Sequence, residues 1–128
     1  MATRSPAKRT RRHSPPLYIR VLITPHDGQW LAEGLEHHLT AQAPSWQQAI
    51  RSFVRTLQRR LQLDHDHGRQ PLADLSPAPE SVFETWERLI EQYTDDLITQ
   101  PVTTPDDTPE AYVINQVAKN DSTADVNA

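Results

Sequence analysis

The sequence predicts an α+β fold in which a small, three- or four-stranded antiparallel sheet packs on one amphipathic helix. Short runs rich in β-branched and aromatic residues, separated by turn residues, occupy positions 17–42. Directly after them, apolar residues recur at intervals of three and four over positions 45–62, which is the period of a helix with one buried side. A sheet that buries one face under one helix accounts for both patterns.

The first strands are predicted to form a hairpin followed by a third strand. Residues 17–23, Leu-Tyr-Ile-Arg-Val-Leu-Ile, have the composition of a strand. The next segment, Pro-His-Asp-Gly at 25–28, contains turn residues, because proline fixes φ and Asp-Gly tolerates positive φ. Residues 29–33 are then the returning strand, and 38–42 are a third strand.

The first helix has the clearest boundary signals in the chain. Ser45 followed by Gln48 matches a capping box, in which each side chain satisfies a backbone N–H of the first turn. Pro44 prevents a helix from entering from upstream. The predicted buried side consists of residues that share helical spacing: Trp46, Ala49, Ile50, Phe53, Val54, Leu57 and Leu61.

A second amphipathic helix is predicted over residues 79–99. Pro79 suits a first helical turn, and Pro101 ends the pattern. If the first helix fills the one buried face of the sheet, the second helix must bury its apolar side elsewhere, either alongside the first helix or in a dimer or partner interface. Its predicted apolar positions are Val82, Phe83, Trp86, Leu89, Ile90, Tyr93 and Leu97.

The remaining segments are predicted to lack regular structure. Residues 1–16 form a basic, disordered tail, and 64–78 form a connector that contains Pro71 and Pro77. Residues 100–128 are predicted to be a disordered acidic and polar tail. The apolar stretch at 111–114 leaves three alternatives open: an added strand, a partner-binding segment or a weakly ordered part of that tail.

Composition narrows the class of protein. The chain has no cysteine, which excludes disulfides and thiolate metal sites and favours a cytoplasmic location. No apolar stretch approaches the roughly 20 residues of a membrane span. The net charge of −4 divides unevenly, since residues 1–63 carry +7 and residues 64–128 carry −11. Such a division indicates charged partners, or attraction between the two halves.

Basic residues suggest a nucleic-acid-binding surface as one function. Three arginines of the first helix are four residues apart and therefore share one side, with a fourth beside them. Alternatively, they form a solvated surface or pair with glutamates of the second helix. The candidates on the helix and in the tail are Arg51, Arg55, Arg59, Arg60, Arg9, Arg11 and Arg12.

The acidic second helix suggests a protein partner, and no residue pattern indicates catalysis or a cofactor. The candidate partner-binding residues are Glu80, Glu84, Glu87, Glu91, Trp86 and Tyr93. Residues 64–67, Asp-His-Asp-His, are metal-ligating types, but neighbouring side chains diverge and no second ligand pair follows. We therefore interpret them as a hydrophilic helix end and predict no metal. Phosphate-binding loops and nucleophile elbows are also missing from the sequence.

Residues 17–63 resemble the HicB family, the antitoxin half of HicA–HicB toxin–antitoxin pairs. The resemblance consists of a strand with Tyr18, the turn Asp27-Gly28, the returning strand Trp30-Leu-Ala-Glu33, a third strand and a helix led by Ser45. The chain departs from the family at 34–39, where family members often have a Pro-x-Leu-Pro-Gly-Cys-like stretch. It also departs at the C-terminal end, which shows no DNA-binding module.

The resemblance implies a partial RNase H-like domain without catalysis. RNase H-like nucleases hold two metal ions with carboxylates on the first strand and first helix. Residues 17–23 and 46–61 contain no acidic residue. We therefore expect a non-enzymatic, antitoxin-like protein that binds and neutralises a basic, nucleic-acid-acting toxin, with a homo-oligomer as a second kind of partner and no membrane contact. The alternative is a nucleic-acid-binding module.

Overall fold

The computed structural model describes residues 15–92 and 97–118, which form one five-stranded sheet with a helix on each side. The mixed α and β composition predicted from the sequence is confirmed. Every element in the predicted β-β-β-α unit is present. In chain order the elements are β1 (Leu17–His26), β2 (Gln29–Gly34), β3 (Thr40–Ala43), α1 (Trp46–Asp66), α2 (Glu80–Gln92), β4 (Leu97–Val102) and β5 (Ala111–Val117).

The sheet is larger than predicted and is mixed, which corrects the antiparallel, three- or four-stranded prediction. Its strand order is β3-β2-β1-β5-β4. β1 pairs antiparallel with β2 but parallel with β5, in the register Leu17–Ala111 to Ile23–Val117. β5 in turn pairs antiparallel with β4. A parallel pair needs a long connection between its strands, and here α1, α2 and β4 supply it.

The predicted Asp-Gly turn closes the first hairpin. Asp27 and Gly28 have φ values of 51° and 77°, so both central residues have positive φ, as a two-residue hairpin turn of type I′ requires. The flanking residues His26 and Gln29 are paired in the ladder. The turn therefore fixes the register of β1 on β2.

α1 packs on one side of the sheet as the sequence predicts. The Ser45 hydroxyl accepts the N–H of Gln48, which confirms the Ser45 half of the predicted capping box, whereas Gln48 Oε1 accepts from the Ser45 hydroxyl rather than from its N–H. The helix continues to Asp66, four residues beyond the predicted end. The buried side of α1 meets the odd-numbered residues of β1 and β5. Core residues on this side include Ile19, Val21, Ile23, Ala49, Phe53, Leu57, Leu61 and Val113.

α2 covers the other side of the same sheet, which the sequence analysis did not predict. Between Leu72, buried against α1, and Ala78, buried against α2, the chain passes from one side to the other. Backbone bonds anchor this passage, from His38 N to Ser76 O and from Ala78 N to Leu35 O. Since Val82, Trp86 and Leu89 pack on Leu22 and Leu35, the apolar side of α2 needs no partner.

The C-terminal part of the chain is also corrected. The second helix is described only to Gln92, and residues 97–99, assigned to that helix, lie in β4. The predicted disordered tail from 100 onward is wrong for 100–102 and 111–117, which belong to β4 and β5. The basic tail up to residue 14, Tyr93 and the end of the acidic tail from 119 lie outside the described residues.

Candidate functional site

Three arginines of α1 form a cationic row on the surface that faces away from the sheet. Arg51, Arg55 and Arg59, called the arginine row below, are all exposed. Their exposure follows from the same helical spacing that buries Ala49, Phe53 and Leu57. Each arginine lies two residues after one of these buried residues and therefore points to the opposite side of the helix. At a rise of 1.5 Å per residue, the row extends over roughly 12 Å.

The arginine row has no carboxylate partner within the described part of the chain. Its guanidinium groups take part in none of the ion pairs formed among the described residues, which are 15–92 and 97–118. Beside it, a depression of about 290 Å³ lies between α1 and the edge strand β3. Every side chain that lines it is a cation, neutral hydrogen-bonding or apolar: Gln42, Ala43, Pro44, Gln48, Arg51, Ser52 and Arg55. This surface can accept an anion without carboxylate repulsion.

Arg60 is separated from the row by its own ion pairs. Its Nε lies 3.2 Å from Oδ1 of Asp64, and its guanidinium also pairs with Asp74. Arg69 adds a bond of 3.1 Å to the same Asp64 oxygen, and the Leu72 N–H donates to Asp64 Oδ2 at 2.8 Å. The structure therefore assigns Arg60, a predicted nucleic-acid contact, to the anchoring of the connector.

Asp64 is the centre of that anchor, although the sequence analysis grouped it with potential metal ligands. Only 1% of its surface is exposed. Burial alone would raise the pKa of Asp64, but the Leu72 N–H together with Arg60 and Arg69 outweighs burial and holds the pKa below its ordinary value. Within the described residues, no three histidine, aspartate or glutamate side chains converge as a metal site would require.

The glutamates of α2 form a second charged row on the other side of the molecule. Glu80, Glu84, Glu87 and Glu91, called the glutamate row below, are exposed and pair with no described cation. Because the sheet lies between α1 and α2, the predicted pairing of arginines with these glutamates does not occur. The sheet thus separates a basic surface from an acidic one.

The aromatic residue predicted to anchor a partner on α2 is in the core. Trp86 is 5% exposed and packs against Leu22 and Leu35, with the Arg20 guanidinium 5.7 Å from its ring. A ring buried to this extent offers little surface to a partner, and its predicted role in partner binding stays untested. Tyr93, the other predicted anchor, lies outside the described residues.

An exposed aromatic side chain, with a half-buried one beside it, occurs instead where β1 and β5 begin. The rings of Tyr18 and Tyr112, called the tyrosine pair below, stack at 5.4 Å with an interplanar angle of 18°. Tyr18 is 57% exposed, and the Tyr112 hydroxyl donates to Glu110 at 3.1 Å. Side chains alternate along residues 17–23, so Tyr18 points to the opposite face of the sheet from Ile19 and Val21, and this could be predicted from the sequence. The parallel pairing of β1 with β5, which brings Tyr112 beside Tyr18, could not.

β1 begins beside this tyrosine pair, and the loop that precedes β5 approaches the C-terminal end of α1. The Leu17 N–H donates to Glu110 O at 2.7 Å, which places the start of β1 against the loop 103–110. That loop, through Asp107 and Thr108, shares a cleft of about 330 Å³ with His65 and Arg69. Arg9, Arg11 and Arg12, predicted to contact nucleic acid, lie outside the described residues, so their role stays a prediction.

Comparisons with protein-family models, with curated proteins and with solved structures each found no match. Neither helix in the described part of the chain combines the length and apolar character needed to cross a membrane.

Proposed function

We propose that this protein is a non-catalytic nucleic-acid-binding module whose phosphate-binding surface is the arginine row. The observation that carries the proposal is the row itself: three exposed guanidinium groups, one helical turn apart, with no carboxylate partner among the described residues. Phosphate contacts by such groups release condensed counterions, and this supplies most of the free energy of non-specific binding.

The surroundings of the arginine row favour a polyanion over a single carboxylate. Gln42, Gln48 and Ser52 line the depression next to Arg51 and Arg55 and add neutral hydrogen-bond donors. The sequence before β1 holds five more cations, at positions that lie outside the described residues. A strand of nucleic acid can therefore follow the arginine row along α1.

The test is the salt dependence of binding to fluorescent single- and double-stranded oligonucleotides. Replacing Arg51, Arg55 and Arg59 together by Gln should reduce the slope of log K against log salt by about 2 to 3, because each lost phosphate contact removes about 0.7 to 0.9. The matched control replaces Glu80, Glu84 and Glu87 by Gln and should keep the slope. Binding that is absent, or unchanged in the arginine variant, contradicts the proposal.

The glutamate row favours a second candidate, the binding of a basic protein partner. Four exposed carboxylates on one side of α2 suit a cationic surface, and complementary charge accelerates association. Together with the resemblance of residues 17–63 to HicB antitoxins, this supports an antitoxin-like function in the cytoplasm, which we propose as the alternative. A partner that co-purifies with the wild-type chain and is lost from the four-fold Glu→Gln variant would support it. A lone monomer in light scattering, with no such partner, would count against it.

A further inference from the structure

An aromatic surface remains uncovered on the α2 side of the sheet. Leu22 and Leu35 on this side are buried under α2, whereas Tyr18, which lies four residues before Leu22 on β1, is 57% exposed. Tyr112 stacks on Tyr18 from the neighbouring strand. A depression of about 290 Å³ continues from Tyr112 to Pro101 and Thr103. The tyrosine pair thus presents stacked rings beside a hollow, which is a shape that accepts a planar group.

The charges around the tyrosine pair select a cation. Glu110 lines the depression, is exposed and bonds to the Tyr112 hydroxyl. The loop 103–110 also carries exposed Asp106 and Asp107 and contains no lysine or arginine. Arg20 lies on β1, two residues after Tyr18. Its guanidinium already pairs with Glu36 at 2.5 Å and stacks over Phe83, so it does not neutralise Glu110. An arginine guanidinium suits this surface, because it stacks on aromatic rings and pairs with carboxylates.

The basic tail, residues 1–16, is the segment of the chain that is covalently joined to β1 beside this surface. It contains five cations and no acidic residue. It joins β1 at Leu17, whose N–H donates to Glu110 O at 2.7 Å, directly beside the tyrosine pair. Arg12 is five residues from Leu17, so its Cα can lie up to roughly 16 Å away, which is far enough to fold back onto Tyr18. Tethering at this range corresponds to an effective concentration on the order of millimolar.

We propose that the basic tail binds the tyrosine pair of its own chain, with a guanidinium over the exposed ring of Tyr18 and the carboxylate of Glu110 beside it. Bound in this way, the cations of the tail are held away from phosphates. The tyrosine pair and Glu110 therefore compete with nucleic acid for the arginines of the tail. The contact itself requires no nucleic acid, so it can be present even if the function proposed above fails.

The experiment uses the full-length chain with a single spin label on Thr10→Cys, since the chain has no other cysteine. Paramagnetic broadening of backbone amide signals is measured at Tyr18, Glu110 and Tyr112. Tethering alone broadens these signals, so the informative comparison is with the label in a Tyr18→Ala background. Loss of the ring should lower the ratio of bound to free tail roughly two- to five-fold. Glu110→Gln should act in the same direction.

Three further measurements separate a bound tail from other causes. Leu63→Ala removes another exposed apolar side chain, on α1, and should leave the broadening unchanged. About 1 M salt, where the Debye length is roughly 3 Å, should reduce the broadening as Tyr18→Ala does. Equal broadening in the wild-type and Tyr18→Ala chains overturns the proposal. Broadening that disappears on dilution also overturns it, because the tail would then come from a second molecule.

Discussion

Replacing Asp64 by Ala should destabilise the fold more than any other single charge removal in α1. The carboxylate is 1% exposed, accepts bonds from Arg60 and Arg69, and receives the Leu72 N–H at 2.8 Å. Leu72 is itself fully buried and has a φ of 60°, a conformation that is unfavourable for leucine. The Asp64 carboxylate therefore anchors a strained turn to the core.

We expect a loss of about 3 kcal/mol in the free energy of unfolding at pH 7. Leaving the buried Leu72 N–H without an acceptor costs about 1–3 kcal/mol. Losing the hydrogen bonds to the two guanidinium groups adds about 1–2 kcal/mol, discounted from the full value of a buried pair because both arginines keep access to water. Urea unfolding followed by tryptophan fluorescence measures the difference, with Asp66→Asn as a matched control on the exposed side of the same helix end.

The pH dependence gives an independent check on this reasoning. The pKa of Asp64 is lowered in the folded state, so its stabilisation is present above the ordinary aspartate pKa of about 3.9 and is lost as the pH falls through the lower, folded value. The difference between wild type and Asp64→Ala should hold from pH 7 to pH 5 and shrink below about pH 4. A difference under 1 kcal/mol at pH 7, or one that persists undiminished at pH 3, would refute the anchor.

Three other changes test separate parts of the fold. Gly34→Ala would place a Cβ 2.5 Å from His37 O and 3.1 Å from the Phe53 ring, so thermal unfolding should show a loss of about 1–3 kcal/mol. Ser45→Ala removes the acceptor of the Gln48 N–H and should cost about 1 kcal/mol in the same assay, whereas Ser45→Asp should restore it. Glu110→Gln should lower the pKa of Tyr112, which the hydrogen bond and charge of Glu110 raise, as measured by ultraviolet absorbance titration.

Local signals in the sequence predicted the elements whose cause is local. The cap at Ser45 starts α1, and the Asp27-Gly28 dipeptide closes the first hairpin, because each depends on residues within a few positions. The arginine row follows from the same helical period that buries Phe53. Its exposure was therefore deducible, although its lack of a partner was not, since that depends on where α2 lies.

β5 shows why the C-terminal strands were missed. A strand in the middle of a sheet, covered on both sides, normally has a continuous apolar sequence. In β5 that run is interrupted by buried Asn115 and Gln116, which bond to Ile98 O and Trp86 O. Both partners lie outside β5 in the sequence, so composition alone favours a polar tail. Residues 111–117 form a strand because they pair with β1, which lies nearly the whole length of the described chain away.

A signal for the second covered face was present but was not used. Val21, Leu22 and Ile23 are consecutive apolar residues in β1, and all three are at least 98% buried. In a sheet with one solvated face, Leu22 would point to water, so three such residues in a row predict cover on both sides. Combined with the wide apolar side of α2, this run would have placed that helix on the sheet rather than in a dimer interface.

The charge division along the sequence becomes a division across the sheet because the two helices pack on opposite sides of it. Charges that met on adjacent helices would neutralise each other and leave little field. Here the arginine row and the glutamate row are separated by the full thickness of the sheet, and neither is paired with a described residue. At low ionic strength such a molecule should attract polyanions to one surface and cations to the other. Both attractions should fall together as salt is added, whereas the Arg→Gln and Glu→Gln variants should each remove only one.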